Sequence, residues 1–229
     1  MAVRIDALIF DLDGTLADSI ADIGEAMNGV LRELSLPSHT LEAYKTFVGE
    51  GAENLARRAV RAAQGRDWHE TSDDGLPAPL VDIVERYRVH YAKREHEGST
   101  LYPGIAEMLD GVVKSGRRMA VLSNKRDDFT KHLVAQSFAR WPFVDVRGER
   151  EGVPRKPNPI AAYELALELN VLPERIGFVG DTPIDVGTAK AAGMIPIGVL
   201  WGFRSREQLQ DAGARFLLSR PAELLDLLR

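Results

Sequence analysis

Ala7-Leu8-Ile9-Phe10-Asp11-Leu12-Asp13-Gly14-Thr15-Leu16 is the stretch from which the rest of the chain can be read. An apolar run of strand length ends abruptly in two carboxylates, a glycine and a hydroxyl. Such a run, bounded by charge, suits a strand covered on both faces, as in a parallel sheet with helices above and below. Gly14 lets the backbone turn sharply or approach a ligand closely. Ligands of open α/β sheets bind beyond the carboxyl ends of the strands, which is where Asp11 and Asp13 would stand. Two other readings compete. A calcium loop wants an acid at its fifth position, glycine at its sixth and glutamate at its twelfth, where this chain has Thr15, Leu16 and Asp22. A plain acidic turn needs only Asp and Gly, so the remaining sequence has to separate it from a site.

Downstream of Leu16 the period changes. Ile20, Ile23, Met27, Val30, Leu31 and Leu34 recur at helical spacing, with Asp18 or Ser19 placed to cap. A break at Pro37-Ser38-His39-Thr40 leads to a short helix bearing Leu41, Tyr44, Phe47 and Val48. Gly49-Glu50-Gly51 interrupts it, and Ala52 to Gln64 resumes the helix with Leu55, Ala56 and Val60. Gly-x-Gly there suits a tight turn between helices, and its place before a helix would also expose amides to an anion. Residues 65–79 read as a surface loop, followed by a helix with Leu80, Ile83, Val84, Tyr87 and Tyr91 that ends in the charged run 93–98. Residues 17–97 thus read as an all-helical insert, with Leu16 to Ser19 as its hinge. Arg57, Arg58, Arg61 and Arg66 cluster within it, a pattern that mostly makes a solvated helix face. His39, His69, His90, His96 and His132 share no metal-ligand spacing and read as surface or packing residues.

Beyond Leu101-Tyr102-Pro103-Gly104 helix and strand alternate. Helical faces carry Ile105, Met108, Leu109 and Val112, then Phe129 and Leu133, then Ile160, Tyr163, Leu167 and Leu169, with a last helix from Arg206 to Ala212. Strands are expected at Met119 to Leu122, near Val144 to Val146, and at Ile176 to Val179, Ile195 to Val199 and Phe216 to Leu218. Alternation with short connections predicts a parallel sheet covered on both faces. The fold class is therefore α/β: a Rossmann-like core from residues 1–16 and 98–229, and a helical cap domain from 17–97.

Composition narrows the function. At 229 residues the chain can bury a full core, and its 45% apolar and 28% charged content is that of a globular protein. A net charge of -5 disfavours nucleic acid as a partner. No apolar run approaches the roughly 20 residues that span a bilayer, and Arg4 and Asp6 come too early for a signal peptide. A cytoplasmic protein without a membrane partner, monomer or homodimer, is expected. The absence of cysteine removes disulfides, thiolate metal sites and cysteine nucleophiles.

Asp11, Ser123 and Asp181 each follow an apolar run, and Lys156 opens a helix through Lys156-Pro157-Asn158-Pro159. In a parallel sheet these ends converge. Grouped aspartates raise one another's pKa unless a cation intervenes, and hard oxygen ligands with room for water and phosphate suit Mg²⁺. Asp11, Asp13, Asp181 and Asp185 are the candidate metal ligands. Phosphoryl transfer needs an in-line nucleophile, positive charge around the phosphoryl oxygens and a proton for the leaving group. Asp11 would be the nucleophile, and Asp13 the acid that protonates the leaving oxygen and then the base that activates water. Ser123 would donate to a phosphoryl oxygen, and Lys156 would keep Asp11 ionised. Gly14, Thr15 and Asn124 would line the substrate, joined by Gly49, Glu50 and Gly51 of the insert.

The order Asp-x-Asp-Gly-Thr, strand-ending Ser, Lys-Pro and Gly-Asp-x-x-x-Asp resembles the haloacid dehalogenase superfamily, in its phosphatase branch with a helical cap. The resemblance covers essentially the whole chain. It implies a Rossmann-like core, Mg²⁺, an aspartyl-phosphate intermediate and a cap that closes over a small phosphorylated metabolite. Phe47-Val48-Gly49-Glu50-Gly51-Ala52, Leu101-Tyr102-Pro103-Gly104 and Ser123-Asn124-Lys125 are similar to phosphoglycolate phosphatases. Glu50 departs from the asparagine common in that cap loop, and a carboxylate repels a small dianionic acid. Other phosphomonoesters and pyrophosphate are the alternatives, with a sugar-phosphate mutase, a phospho-accepting signalling domain and a silent scaffold behind them. Asp13 argues against signalling, because it is suited to hydrolyse the acyl phosphate such a domain preserves.

Overall fold

The computed structural model describes residues 4–94 and 97–229; His96 and the adjoining part of the charged run lie outside them. In chain order the elements are β1 (Ala7–Phe10), β2 (Ala17–Asp18), α1 (Ile20–Glu33), α2 (Leu41–Phe47), α3 (Ala52–Ala63), α4 (Leu80–Ala92), β3 (Thr100–Leu101), α5 (Ile105–Lys114) and β4 (Arg118–Arg126). They continue with α6 (Asp127–Ser137), β5 (Phe143–Glu149), α7 (Ile160–Leu169), β6 (Ile176–Gly180), α8 (Pro183–Ala191), β7 (Ile195–Val199), α9 (Arg206–Ala212), β8 (Phe216–Leu218) and α10 (Glu223–Asp226). Two compact units result, one from residues 1–18 and 100–229, the other from Ser19–Ser99.

The first unit is α/β. Its six-stranded sheet has the order β5-β4-β1-β6-β7-β8, and every neighbouring pair is parallel. β1 lies between β4 and β6 with Phe10 opposite both Val121 and Val179, so the chain winds outward from β1 in both directions. Alternation along β1 sends Leu8 and Phe10 into one core with Ile105, Leu109, Val121 and Leu133, and Ala7 and Ile9 into the other with Ala162, Leu165, Leu169 and Phe178. Both faces of β1 are buried, which is why its sequence is a continuous apolar run.

The structure departs from some of these expectations. Residues 17–97 are not all helical at their entry, because β2 pairs antiparallel with β3, Ala17 opposite Leu101 and Asp18 opposite Thr100. That ribbon belongs to the α/β unit, which moves the boundaries to 18/19 and 99/100. β4 runs on through Ser123-Asn124-Lys125 instead of stopping at Leu122, and β5 extends past Val146 to Glu149. On α7 three of the four residues expected on the apolar face turn outward, and Leu169 is buried as expected. Ile160 and Tyr163 are nearly half exposed and Leu167 is 81% exposed, whereas Ala161, Ala162, Leu165 and Ala166 are buried. Close helix–sheet packing selects the small residues.

The second unit packs α1, α2, α3 and α4 around Met27, Val30, Tyr44, Phe47, Val60, Ile83 and Tyr87. Its arginine cluster is not a solvated face. Arg61 is buried, donating from Nε to the Asp67 carbonyl (2.7 Å) and from Nη1 to the Ser72 carbonyl (3.3 Å), with an ion pair to Glu70. Arg57 pairs with Asp73 at 2.7 Å, and Arg66 donates to the Asp74 carbonyl at 2.7 Å. Arg61 and Arg66 satisfy backbone carbonyls, and Arg57 a carboxylate, of a 65–79 segment that has no regular ladder of its own. His39 meets Tyr44 and Phe47 edge-on, and His90 lies 2.8 Å from Glu33, in packing and surface roles.

Candidate active site

At the carboxyl edge of β1, Asp11 follows the last strand residue, and its N–H donates to the Val179 carbonyl of β6 at 2.8 Å. Asp181 follows β6, and Asp185 sits on the first turn of α8, where its carboxylate accepts from the Thr182 N–H and hydroxyl in a capping box. The sheet therefore delivers the three carboxylates to one point. They are buried, with an oxygen of each within 4.8 Å of the others. Lys156, also buried, donates from Nζ to Asp11 Oδ1 at 2.8 Å and Asp185 Oδ1 at 2.7 Å.

Three acids against one lysine leave an excess of buried negative charge. Burial, then the charge of Asp185, pushes the Asp11 carboxyl well above its ordinary range, although Lys156 offsets part of this. Asp181 rises to about 7 through burial and Asp185, offset by hydrogen bonds from Phe203 and Thr15. Burial alone would lower Lys156, but Asp11 and Asp185 outweigh it and hold the ammonium charged. Buried, oxygen-only and short of positive charge, this donor set fits a hard divalent cation.

Other predicted residues frame the cluster. Thr15 donates its hydroxyl to Asp181 Oδ1 at 3.0 Å. Gly14 has φ +87°, and a Cβ there would run into the Asp181 carboxylate. Ser123 is buried and accepts from the Lys125 N–H at 3.1 Å, so its own O–H is available to donate. Asn124 grips the Lys156 peptide at both ends, Nδ2 to the carbonyl at 3.1 Å and Oδ1 from the N–H at 2.9 Å. Asp13 stands apart from the three clustered carboxylates, with Lys125 Nζ 2.5 Å from its Oδ1. In the helical unit, Gly49-Glu50-Gly51 precedes α3, and Glu50 is paired with Arg58 at 2.5 Å and with Asn54 Nδ2 at 3.2 Å.

Lys125 is one functional neighbour that the residue pattern did not single out for a role; the segment after β7 is another. There the Phe203 N–H donates to Asp181 Oδ2 at 2.8 Å and Trp201 Nε1 donates to the Thr15 carbonyl at 2.9 Å. A Cβ on Gly202 would collide with the Gly14 carbonyl and the Asp181 side chain. These contacts run largely through backbone, so only a Gly after a strand could have hinted at them.

A nucleophile-capable carboxylate held by an ammonium, beside further acids at the strand ends, is a hydrolytic arrangement. The profile of the haloacid dehalogenase-like hydrolases matches residues 8–199, and the chain belongs to that family. Within it the chain is a phosphatase, a phosphoric monoester hydrolase. It is 35% identical to the phosphoglycolate phosphatase of Rhodospirillum rubrum over 97% of this chain and 90% of that one. The Pseudomonas putida phosphoglycolate phosphatase is 36% identical over 86% of this chain and 70% of its own. Among solved structures, CbbY from Rhodobacter sphaeroides in complex with phosphate superposes with a TM-score of 0.76 at 27% identity, covering 96% of each chain. No helix among the described residues is long and apolar enough to cross a membrane.

Proposed function

We propose that the protein hydrolyses a small phosphomonoester, 2-phosphoglycolate first among them, with Mg²⁺ and through an aspartyl-phosphate on Asp11. The observation that carries this is Asp11 itself, a buried carboxylate held by Lys156 at 2.8 Å next to Asp181 and Asp185. Lys156 orients one Asp11 oxygen and leaves the other for attack on phosphorus. As that bond forms and the ester P–O bond breaks, Asp13 gives its proton to the leaving oxygen. Asp13 then takes a proton from water, whose oxygen attacks the phosphoryl group, and Asp11 is released. The Ser123 hydroxyl donates to a phosphoryl oxygen and Lys156 offsets its charge. Asp11 and Asp181 would hold Mg²⁺, with Asp185 orienting its waters and Asp13 contributing from the adjoining turn. Held there, Mg²⁺ would supply positive charge that offsets the charge of the phosphoryl group.

The names of the R. rubrum and P. putida relatives support 2-phosphoglycolate as substrate. Glu50 does not weigh against it as an isolated carboxylate would, since Arg58 offsets its charge. A second reading, a sugar bisphosphate, draws on a mutant of R. sphaeroides CbbY solved in complex with xylulose-(1,5)-bisphosphate. A panel of phosphomonoesters, sugar bisphosphates and pyrophosphate, assayed with Mg²⁺ and with chelator and ranked by kcat/KM, tests both. The expected result is phosphate release that needs Mg²⁺ and is fastest on 2-phosphoglycolate. A sugar bisphosphate at the head of the ranking selects the second reading. Phosphate release that chelator leaves unchanged overturns the metal dependence.

A further inference from the structure

Two lysines pair with aspartates in the site, Lys156 and Lys125, and the chemistry above uses only Lys156. Lys156 holds Asp11. Lys125 holds Asp13 in the same manner, with Nζ 2.5 Å from Oδ1 and side chains only 7% and 11% exposed. The two aspartates lie on one turn. Asp11 ends the β1 ladder, whereas Asp13 is already in the loop, where the Gly14 N–H donates to the Ala17 carbonyl at 2.9 Å. A carboxylate on a loop has two side-chain torsions to settle, and proton transfer demands hydrogen-bond reach of the reacting oxygen.

Lys125 is equipped to settle them because its own backbone is held on two sides. Its N–H donates to Ser123 Oγ at 3.1 Å, and its carbonyl accepts from Thr130 Oγ1 at 3.1 Å. It also belongs to β4, whose parallel register with β1 sets the distance between the two residues. A lysine ammonium carries three donors and no acceptor, so its bond to Asp13 Oδ1 fixes that oxygen.

We propose that Lys125 is a positioning residue for the reaction: it holds the Asp13 carboxylate in the rotamer from which the proton reaches the leaving oxygen. This rests on the acid–base reading of Asp13 given above. Lys125 acts through Asp13, so its loss matters only while Asp13 is present.

The test is a double-mutant cycle of Lys125→Met, Asp13→Ala and the pair, with Lys125→Arg as the conservative variant, assayed on 2-phosphoglycolate and p-nitrophenyl phosphate. Lys125→Met is expected to lower kcat on 2-phosphoglycolate by about tenfold or more, with less loss on p-nitrophenyl phosphate, whose leaving group needs less protonation, and KM within about twofold. Lys125→Arg should recover part of the rate, and the double variant should be no slower than Asp13→Ala. Losses that multiply in the double variant overturn the proposal. So does a Lys125→Met effect confined to KM, which would mean contact with substrate. If Asp13→Ala itself turns over like the parent on both substrates, the acid–base reading fails instead, and the two failures are told apart by that single variant.

Discussion

The two units bury charge in opposite ways. In the helical unit Asp22 is fully buried and its carboxylate is saturated, accepting from Arg94 Nε at 2.7 Å, the Gly98 N–H at 3.1 Å and the Ser99 hydroxyl at 2.6 Å. Arg61 in the same unit meets two carbonyls and a carboxylate. In the α/β unit three buried acids stand beside one lysine, which bonds Asp11 and Asp185 but not Asp181, and burial raises Asp11 and Asp181. Charge-balanced burial holds a fold together; an excess of buried negative charge is tolerated where a ligand will offset it.

The sharpest way to break this contrast is Asp11→Asn. It should cut Mg²⁺-dependent phosphate release by at least about 10³-fold while circular dichroism stays unchanged, and turnover like the parent's would remove Asp11 as nucleophile. In chelator at pH 8 the same variant should stabilise the protein by about 1 kcal/mol, because it deletes excess buried charge. Asp22→Asn and Arg61→Met should instead each destabilise by about 2 kcal/mol in urea unfolding, because they strand partners that were satisfied. Matching signs for Asp11→Asn and Asp22→Asn would erase the distinction between the units.

Gly202→Ala probes the site at one remove. By displacing Asp181 it should raise the Mg²⁺ concentration needed for half-maximal thermal stabilisation by about tenfold, the usual effect of disturbing a ligand's supporting contacts. The smallest expected effect is on pH dependence. Asp181 ionises near 3.8 when unfolded and at about 7 in the fold. Between those values the unfolded chain binds fewer protons, so the metal-free protein loses stability as pH rises from about 4 through about 7. Asp11 shifts in the same direction. The gain in Tm on adding Mg²⁺ should therefore be larger at pH 8 than at pH 5, by about 3 °C; an equal gain at both would mean these acids are not what the cation relieves.

The sheet was legible where burial on two faces produces an unbroken apolar run, as in β1, β6 and β7; Asp11 and Asp181 were legible because each stands where such a run stops, and Asp185 because it follows Asp181 by one helical turn. β2 and β3 were not, since two-residue strands are too short to show a period. The α7 face was legible only at Leu169, because Ala161, Ala162 and Ala166 share its packing while Ile160, Tyr163 and Leu167 face outward. The arginine cluster misled in a related way: Arg61 is buried by carbonyls of a loop more than five residues away, and side-chain spacing along a helix does not record what a distant backbone needs. The support of Asp181 by Phe203 runs through a peptide N–H that any residue but proline would supply there.

The ribbon of β2 and β3 has a consequence for engineering. Asp18 and Thr100 face each other across an antiparallel ladder, so the insert leaves and rejoins the α/β unit at a single doorway. Two paired residues whose strands run in opposite directions are the base of a hairpin. An Asn-Gly turn in place of residues 19–99 would close it, since two-residue loops of that composition match the twist of such strands. The same doorway would accept a different insert by ligation at two adjacent points, leaving the six-stranded sheet uninterrupted.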